Sequence, residues 1–524
     1  MHETRDKAKS TIFMKKTRSI NQMLPVFILM LLVQLFLRAH NITELPFFID
    51  EDNHIQRAAV IYDFAHHPAQ DSHGKFLFYF LLGVFDLKQR DTALFLAREM
   101  VALTSLLTSA LIFRMVCRLT RDAAIALLAV ALYALIPYAL FFERIALADP
   151  FAGLLGVLTL WLSLRLAHEP TRGRAVLVGI ASAVTVAAKM TMLFAVFFPV
   201  MAFLLLAEYD SLSDALRRYF SYLVIAGGVF MMLWLPVLIP ARLSVLDENQ
   251  PDFVLVNAPE LVEHDANASS LFTKIEETWT KLRTLASLPA ALVFIGIGIF
   301  ALWDAPHITG FLLACLLLAW LPSIVFVENL QTRYLMSGIP ILVILLGTAA
   351  GLDRAAGKID ILVPLTGLLV VWAIVFALPF ANTLITRPPD VNVPPLDAKN
   401  YFWDRYNAYG NREAVQYLRE NGERFEDGLV YVFPLTKVCP QLDLDTGSSI
   451  KRICLEGYYR ESMAEIDWQE PAREKLENGV PLYVMTGEQR DVPPEDSNIT
   501  WEQIAVFPKP HNIQQITLWR LHLR

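Results

Sequence analysis

Three consecutive carboxylates, Asp50, Glu51 and Asp52, follow a short apolar run early in the chain. A carboxylate so placed can take the proton from an attacking hydroxyl, and a cluster can hold a divalent cation. A second set is mainly cationic: His73 and Lys75, then Lys189, then Arg333 with Tyr334. Glu143, Arg144 and Asp149 add charges of both signs within one short turn. Cations of this kind bind and neutralise a phosphate leaving group. Singly, each residue is more simply a solvated loop charge, or an interfacial side chain whose stem lies along apolar surface. Their convergence on one face of a membrane is what favours chemistry.

That face is defined by the apolar blocks around it. The chain has 524 residues, 55% hydrophobic and only 19% charged, where soluble domains carry about 25% charge. The excess falls in blocks near 21–37, 92–112, 123–142, 150–167, 174–189, 191–207, 219–240, 286–303, 308–327, 335–352 and 360–380. Each approaches the ~20 residues that cross about 30 Å of hydrocarbon. The pattern predicts a polytopic α-helical membrane protein with about eleven spans. It excludes a soluble enzyme, a secreted disulfide scaffold and a disordered chain. The net charge of −7 says nothing of partners, because the charges lie on two sides of a bilayer.

Arg5, Lys7, Lys9, Lys15, Lys16 and Arg18 precede the first block, whose apolar run continues to Arg38. An uncleaved first span with a cytoplasmic N-terminus follows, in a multi-pass protein of the cell membrane. Gly74–Leu87 is too short to cross and reads as an interfacial or re-entrant helix. Arg174–Ala207 is too long for one crossing, so two short spans are expected, with Lys189 at an external turn. This avoids about 2.5–3.5 kcal/mol for an ammonium at mid-bilayer. It also keeps Arg165, Arg172, Arg217, Arg354 and Lys358 cytoplasmic.

An odd number of spans leaves the C-terminus outside. Residues 1–380 are read as the transmembrane domain, 381–400 as a Pro-rich linker and 401–524 as a small extracytoplasmic α/β domain. Within the last, Asn411 is expected to cap a helix over Arg412–Arg419, and Gly428–Phe433 and Val480–Met485 to form strands. Cys439 and Cys454 lie in this domain, where a disulfide closing a loop of that size would add roughly 3 kcal/mol. The alternative is two unpaired buried thiols. Cys117 and Cys315 lie in or beside spans. Asn41, Asn267 and Asn498 open formal glycosylation sequons, short enough to arise by chance. The loop from Arg242 to Thr284 either covers a site or caps the bundle.

The ordered motifs resemble the GT-C glycosyltransferases of the protein O-mannosyltransferase and aminoarabinose-transferase type. Asp50-Glu51 resembles that family's first external acidic motif. His73-Gly74-Lys75 stands where a His- or Lys-containing stretch occurs, although the family's usual prolines are missing. Arg98 resembles the arginine opening the second span, and Glu143-Arg144 with Asp149 the second acidic motif. Lys189-Met-Thr and Arg333-Tyr334-Leu335 with Pro340 resemble later motifs.

The resemblance implies an integral-membrane glycosyltransferase that moves a sugar from a polyprenyl-phosphate donor to a protein, lipid or glycan acceptor. It implies Asp50 as the base for inverting attack, with Glu51 orienting it or sharing a metal. Asp149 and Glu143 would shape the acceptor or sugar pocket. Lys75, Arg333 and Tyr334 would bind the lipid phosphate, with Lys189 and Arg144 as lesser contributors and His73 serving either the phosphate or the acidic pair. Mg²⁺ or Mn²⁺ at Asp50 and Glu51 is neither required nor excluded. The competing reading is a transporter or flippase of lipid-linked sugars. That reading calls for charges at mid-membrane and internal repeats, which the sequence does not display.

Overall fold

The computed structural model describes the chain apart from residues 1–21, 46–47, 63–73, 86, 88–92, 208–211, 246–270, 327–329, 356–361, 404–408, 422–428, 433–451, 455–468, 487–498 and 513. Two compact units result. The first comprises Met1–Ile42, Arg57–Phe85 and Ala97–Pro394; the second comprises Thr43–Gln56, Asp86–Leu96 and Pro395–Arg524. The acidic run at 50–52 therefore belongs to the second unit.

The described elements of the first unit are all helical. In chain order its elements are α1 (Gln22–Ala39), α2 (Ile49–Val60, which begins in the other unit), α3 (Phe76–Gly83), α4 (Ala93–Thr120), α5 (Ala123–Leu135), α6 (Pro137–Phe142), α7 (Ala148–His168), α8 (Arg172–Ala188), α9 (Phe198–Leu206), α10 (Leu212–Val245), α11 (Leu271–Ala286), α12 (Leu288–Asp304), α13 (Pro306–Phe326), α14 (Ile339–Ala355), α15 (Leu362–Trp372) and α16 (Leu378–Thr386). Two 3₁₀ segments, Met190–Phe197 and Thr332–Gly338, lead into α9 and α14. A π turn, Ala373–Ala377, joins α15 to α16.

Among the described residues, six helices are long and apolar enough to cross a membrane, or seven if one bent pair counts as a span. The pair is α11 with α12, which turn through 114° at Ser287, a residue at φ 70°. The other apolar blocks are helical but shorter or interrupted. Pro137 stops α5, because Ile136 before it is held in extended backbone. The segment after Gly74 forms only the eight-residue α3, far short of a crossing. Large apolar side chains such as Leu29, Leu107, Met232 and Val375 are exposed; in a bilayer they form the lipid face.

Polar residues join the helices where apolar contact alone gives no orientation. Gln34 Nε2 donates to Ser105 Oγ at 2.9 Å, and Ser109 Oγ donates to Gln34 Oε1 at 2.6 Å, tying α1 to α4. Thr159 and Thr185 share a hydrogen bond of 2.8 Å between α7 and α8. Such bonds orient helices that lipid would otherwise solvate equally well. Asp122 Oδ1 accepts from Ala124 N at 2.9 Å and so caps α5. Helices α5, α12, α14 and α15 border an open apolar cavity of about 340 Å³, lined by Leu132, Val293, Leu346, Leu369, Trp372 and Phe376 among others.

The second unit carries a five-stranded mixed sheet of order β2-β1-β3-β5-β4. The strands are β1 (Leu429–Val432), β2 (Arg452–Cys454), β3 (Leu482–Thr486), β4 (Ile499–Pro508) and β5 (Gln515–Leu523). β1 runs parallel to β2 and β3, pairing Tyr431 with Val484. β5 runs antiparallel to β3 and β4, pairing Trp519 with Val484 and Gln503. The first predicted strand is confirmed within a residue at each end, and the second begins two residues late. The predicted helix is α17 (Asn411–Glu420). Its first bond runs from Ala414 N to Gly410 O at 2.9 Å, so Gly410, at φ 82°, holds the cap position expected of Asn411. Ala414 and Leu418 pack on Tyr483, Met485, Phe507, Ile516 and Leu518 to form the unit's core. Cys439 lies outside the described residues, and with it the proposed Cys439–Cys454 bridge.

Gly338 closes the second 3₁₀ segment against α13, where a Cβ would sit 2.2 Å from Trp320 Nε1. That indole already donates to Leu335 O at 2.7 Å and has no room to retreat. Gly338→Ala is expected to destabilise the first unit by about 1–3 kcal/mol, the usual cost of overpacking. Gly367→Ala, where nothing lies within 4 Å, should be neutral or stabilising by up to about 1 kcal/mol. Thermal unfolding of both variants in detergent micelles checks the contrast.

Candidate active site

The first charged cluster forms where α7 begins and α8 ends. Asp149 lies in the first turn of α7, and no side chain caps this end, so its carboxylate complements the exposed backbone N–H groups and the helix dipole. Helix α8 stops at Ala188 and Lys189 adopts extended backbone before the 3₁₀ segment begins. Two helices packed side by side thus bring together residues forty positions apart. Lys189 Nζ and Asp149 Oδ1 form a short ion pair, with both side chains buried.

Tyr334 completes the cluster from the second 3₁₀ segment. Lys189 Nζ stands 4.8 Å from the centroid of its ring, and Arg333 Cζ 5.1 Å from the same centroid. Cations over a tyrosine face are favoured by the ring quadrupole. The segment is held rigidly: Tyr138 Oη donates to Thr332 O, and Gly153 of α7 leaves only 3.3 Å between a would-be Cβ and the Ser337 backbone. On the other side, Met190 N donates to Gly74 O at 2.8 Å. Gly74 has φ +70°, and a Cβ there would lie 2.9 Å from Met190 Cβ. This close approach brings the backbone of Lys75, the half-buried residue before α3, beside Lys189. The structure so assembles Lys75, Asp149, Lys189, Arg333 and Tyr334 in one unit. Lys189 and Arg333 thus share the ring of Tyr334, and Lys189 also meets the Asp149 carboxylate.

Glu143 and Arg144, expected to shape a pocket or bind phosphate, make buried contacts within the bundle. Glu143 is fully buried; its Oε2 accepts from Arg38 Nε at 2.5 Å, and its Oε1 accepts from the Tyr133 hydroxyl. Arg38 also donates to Ala134 O at 3.0 Å and Tyr133 O at 3.2 Å. Arg144 donates to the carbonyls of Leu37, Arg38, His40 and Asn41 at 2.7–3.1 Å, the groups that the end of α1 leaves unpaired. Burial, with repulsion from Arg98 and Arg38 added and Glu99 opposing, lowers the Arg144 pKa to about 10, so it remains cationic at neutral pH. Arg98 Nη1 donates to Ile42 O at 2.6 Å. The set is a structural clamp on the chain leaving α1. Arg38 and Tyr133, its other members, stand inside or at the end of apolar blocks where nothing local marks a partner.

In the second unit, Glu51 Oε2 accepts from Phe48 N at 3.1 Å and Glu51 N donates to Phe48 O at 2.9 Å. This is the reach-back half of a capping box, which starts α2. Asp50, in the same first turn, is partly exposed, whereas Glu51 is fully buried. Phe48 stacks on Tyr401 at 4.4 Å between centroids. His73 lies outside the described residues. Among the described residues no group of three or more His, Cys, Asp or Glu converges as a metal site.

Comparison with known proteins places this geometry. Residues 73–246 match the family described as dolichyl-phosphate-mannose-protein mannosyltransferase, a stretch that contains Lys75, Asp149 and Lys189. The crystal structure of ArnT from Cupriavidus metallidurans bound to undecaprenyl phosphate superposes with a TM-score of 0.56 at 13% identity, covering 95% of this chain and 98% of that chain. The chain therefore shares the fold of ArnT. The apo structure of the same ArnT superposes equally over both chains, with a TM-score of 0.55 at 13% identity. No curated protein matches by sequence. The likeness of fold covers 95% of this chain, while the mannosyltransferase match holds Lys75, Asp149 and Lys189 but ends before Arg333 and Tyr334.

Removing Glu143 strands the Arg38 guanidinium in the core. Glu143→Ala is expected to cost about 3–5 kcal/mol, the penalty for leaving one partner of a buried pair alone. The double variant Arg38→Met/Glu143→Leu should recover most of that loss. Unfolding midpoints in detergent, compared across the single and double variants, measure both effects.

Proposed function

We propose that this chain is an integral-membrane glycosyltransferase that takes a sugar from a polyprenyl-phosphate carrier. It passes the sugar, with inversion, to a protein, lipid or glycan acceptor on the extracytoplasmic face. The observation that carries the reading is the convergence of two buried cations, Lys189 and Arg333, on the ring of Tyr334 beside Asp149. Asp149 and Lys189 lie in the stretch matching the mannosyltransferase family. The likeness to ArnT, a structure of which holds undecaprenyl phosphate, supports a lipid phosphate as the anion.

The chemistry follows from the residue types. Asp50 is the base: it accepts the proton of the acceptor nucleophile, which attacks the anomeric carbon as the bond to the phosphate oxygen breaks. Negative charge grows on the departing phosphate, and Lys75, Lys189 and Arg333 stabilise it in a low-dielectric setting, where such stabilisation is strongest. Glu51, by holding the Phe48 N–H, fixes the turn on which Asp50 rides. His73 serves the phosphate or the acidic pair.

Asp50→Asn is expected to lower the transfer rate of the purified protein by 10²–10⁴-fold, the usual range for a general base, with unfolding temperature unchanged. Arg333→Ala should raise KM for the polyprenyl-phosphate sugar more than it lowers kcat. Full transfer by folded Asp50→Asn protein overturns the assigned base, and no transfer from any polyprenyl-phosphate sugar overturns the reading itself. Mass spectrometry of lipid-linked sugars accumulating in a deletion strain identifies the donor.

A further inference from the structure

The ion pair between Asp149 and Lys189 raises a physical question. A lysine already matched to a carboxylate has less attraction left for a phosphate. Both groups are buried, so their interaction is strong and little screened. Lys189 also rests on the face of Tyr334, 4.8 Å from the centroid, with Arg333 over the same ring at 5.1 Å, so the ammonium has a second partner that does not compete for an anion.

We infer that Asp149 and Lys189 form an exchangeable pair: the phosphate of the lipid carrier displaces Asp149 from the Lys189 ammonium, and the released carboxylate then faces the sugar or acceptor. The inference rests on the reading of this cluster as a phosphate site. Three features suit the exchange. A lysine is a compact charge on a flexible four-carbon stem, so its N–H bonds can pass from one oxygen to another without backbone movement. Tyr334 retains the ammonium during the passage. Asp149, in the first turn of α7, stays stabilised by the helix N-terminus after Lys189 turns away. No proton or covalent bond changes hands; one hydrogen-bonded ion pair replaces another. Asp149 is then a positioning residue whose occupancy of Lys189 reports whether the carrier is bound.

The test measures binding of undecaprenyl monophosphate to the full-length protein in detergent micelles, by quenching of intrinsic fluorescence or calorimetry. Inorganic phosphate and neutral undecaprenol serve as parallel probes. Asp149→Asn removes the internal competitor, so its Kd for the lipid phosphate is expected to fall about tenfold while turnover falls as well. Lys189→Gln should raise Kd, and Asp149→Asn/Lys189→Gln should match Lys189→Gln, because the gain requires the freed lysine. Asp149→Ser provides the same removal by a smaller side chain, should the asparagine variant fail to fold. An unchanged or raised Kd in the folded Asp149 variants overturns the exchange. Absence of binding to the wild-type protein overturns the phosphate reading instead. A gain seen equally with inorganic phosphate assigns the exchange to the phosphate group alone; a gain confined to the lipid phosphate assigns it to the carrier as a whole; a gain with undecaprenol overturns it.

Discussion

A charge inside a helical bundle that sits in lipid must bring its own partners, and the first unit is built around one residue that does. Glu143 meets a guanidinium at one oxygen and a phenol at the other, and all three side chains are fully buried. The penalty for an unpaired charge at such depth is several kcal/mol, so α1, α5 and the turn before α7 cannot drift apart without incurring it. Next along the chain, Arg144 occupies four carbonyls at the end of α1. Apolar surface lets helices slide; these bonds set their depth and rotation.

The two charged clusters differ in how their charges are met. Around Glu143 every charge has an opposite charge or carbonyls to match it. Around Tyr334 two cations share one ring, and the elements nearby are short and irregular: a helix of eight residues, two 3₁₀ segments and a helix end. Such elements need external support, which Tyr138, Trp320, Gly153 and Gly74 supply. Regular helices would bury these side chains along their length. Breaking the helices at Lys189 and before Ile339 points the charges toward one place, and the strength of the site comes from that interruption.

Much of this was legible in the sequence, for identifiable reasons. The break at Lys189 was predictable because one ammonium in the middle of a long apolar run has no other tolerable position. Lys75, Asp149, Lys189, Arg333 and Tyr334 were marked by residue type in the same way. Nothing local marks Arg38 and Glu143 as a pair, because 105 residues separate them and neither alters the local hydropathy pattern. The 3₁₀ turn over Thr332–Gly338 was hidden for a similar reason: its apolar residues continue smoothly into α14, and only the fit of Gly338 against Trp320 sets the tighter winding. The grouping of 43–56 and 86–96 with the C-terminal residues is a matter of tertiary contact, which no local pattern encodes. Asn411 is an ordinary cap residue displaced by one position, because Gly410 alone tolerates the backbone angle required.

The last helix of the bundle has a consequence of a different kind. Residues 362–386 form 25 residues of helix with little of their apolar surface covered by protein. At about 1.5 Å per residue this is roughly 37 Å, against about 30 Å for ordinary hydrocarbon. The surplus length is taken up by inclination or by a thicker bilayer, and the wide π turn at Ala373–Ala377 lies midway along it. The neighbours hold the rest of the bundle at a fixed depth, but this helix answers mainly to lipid. Of the six described candidate spans it has the smallest buried share, 11%, so its inclination is set less by protein neighbours than that of the others.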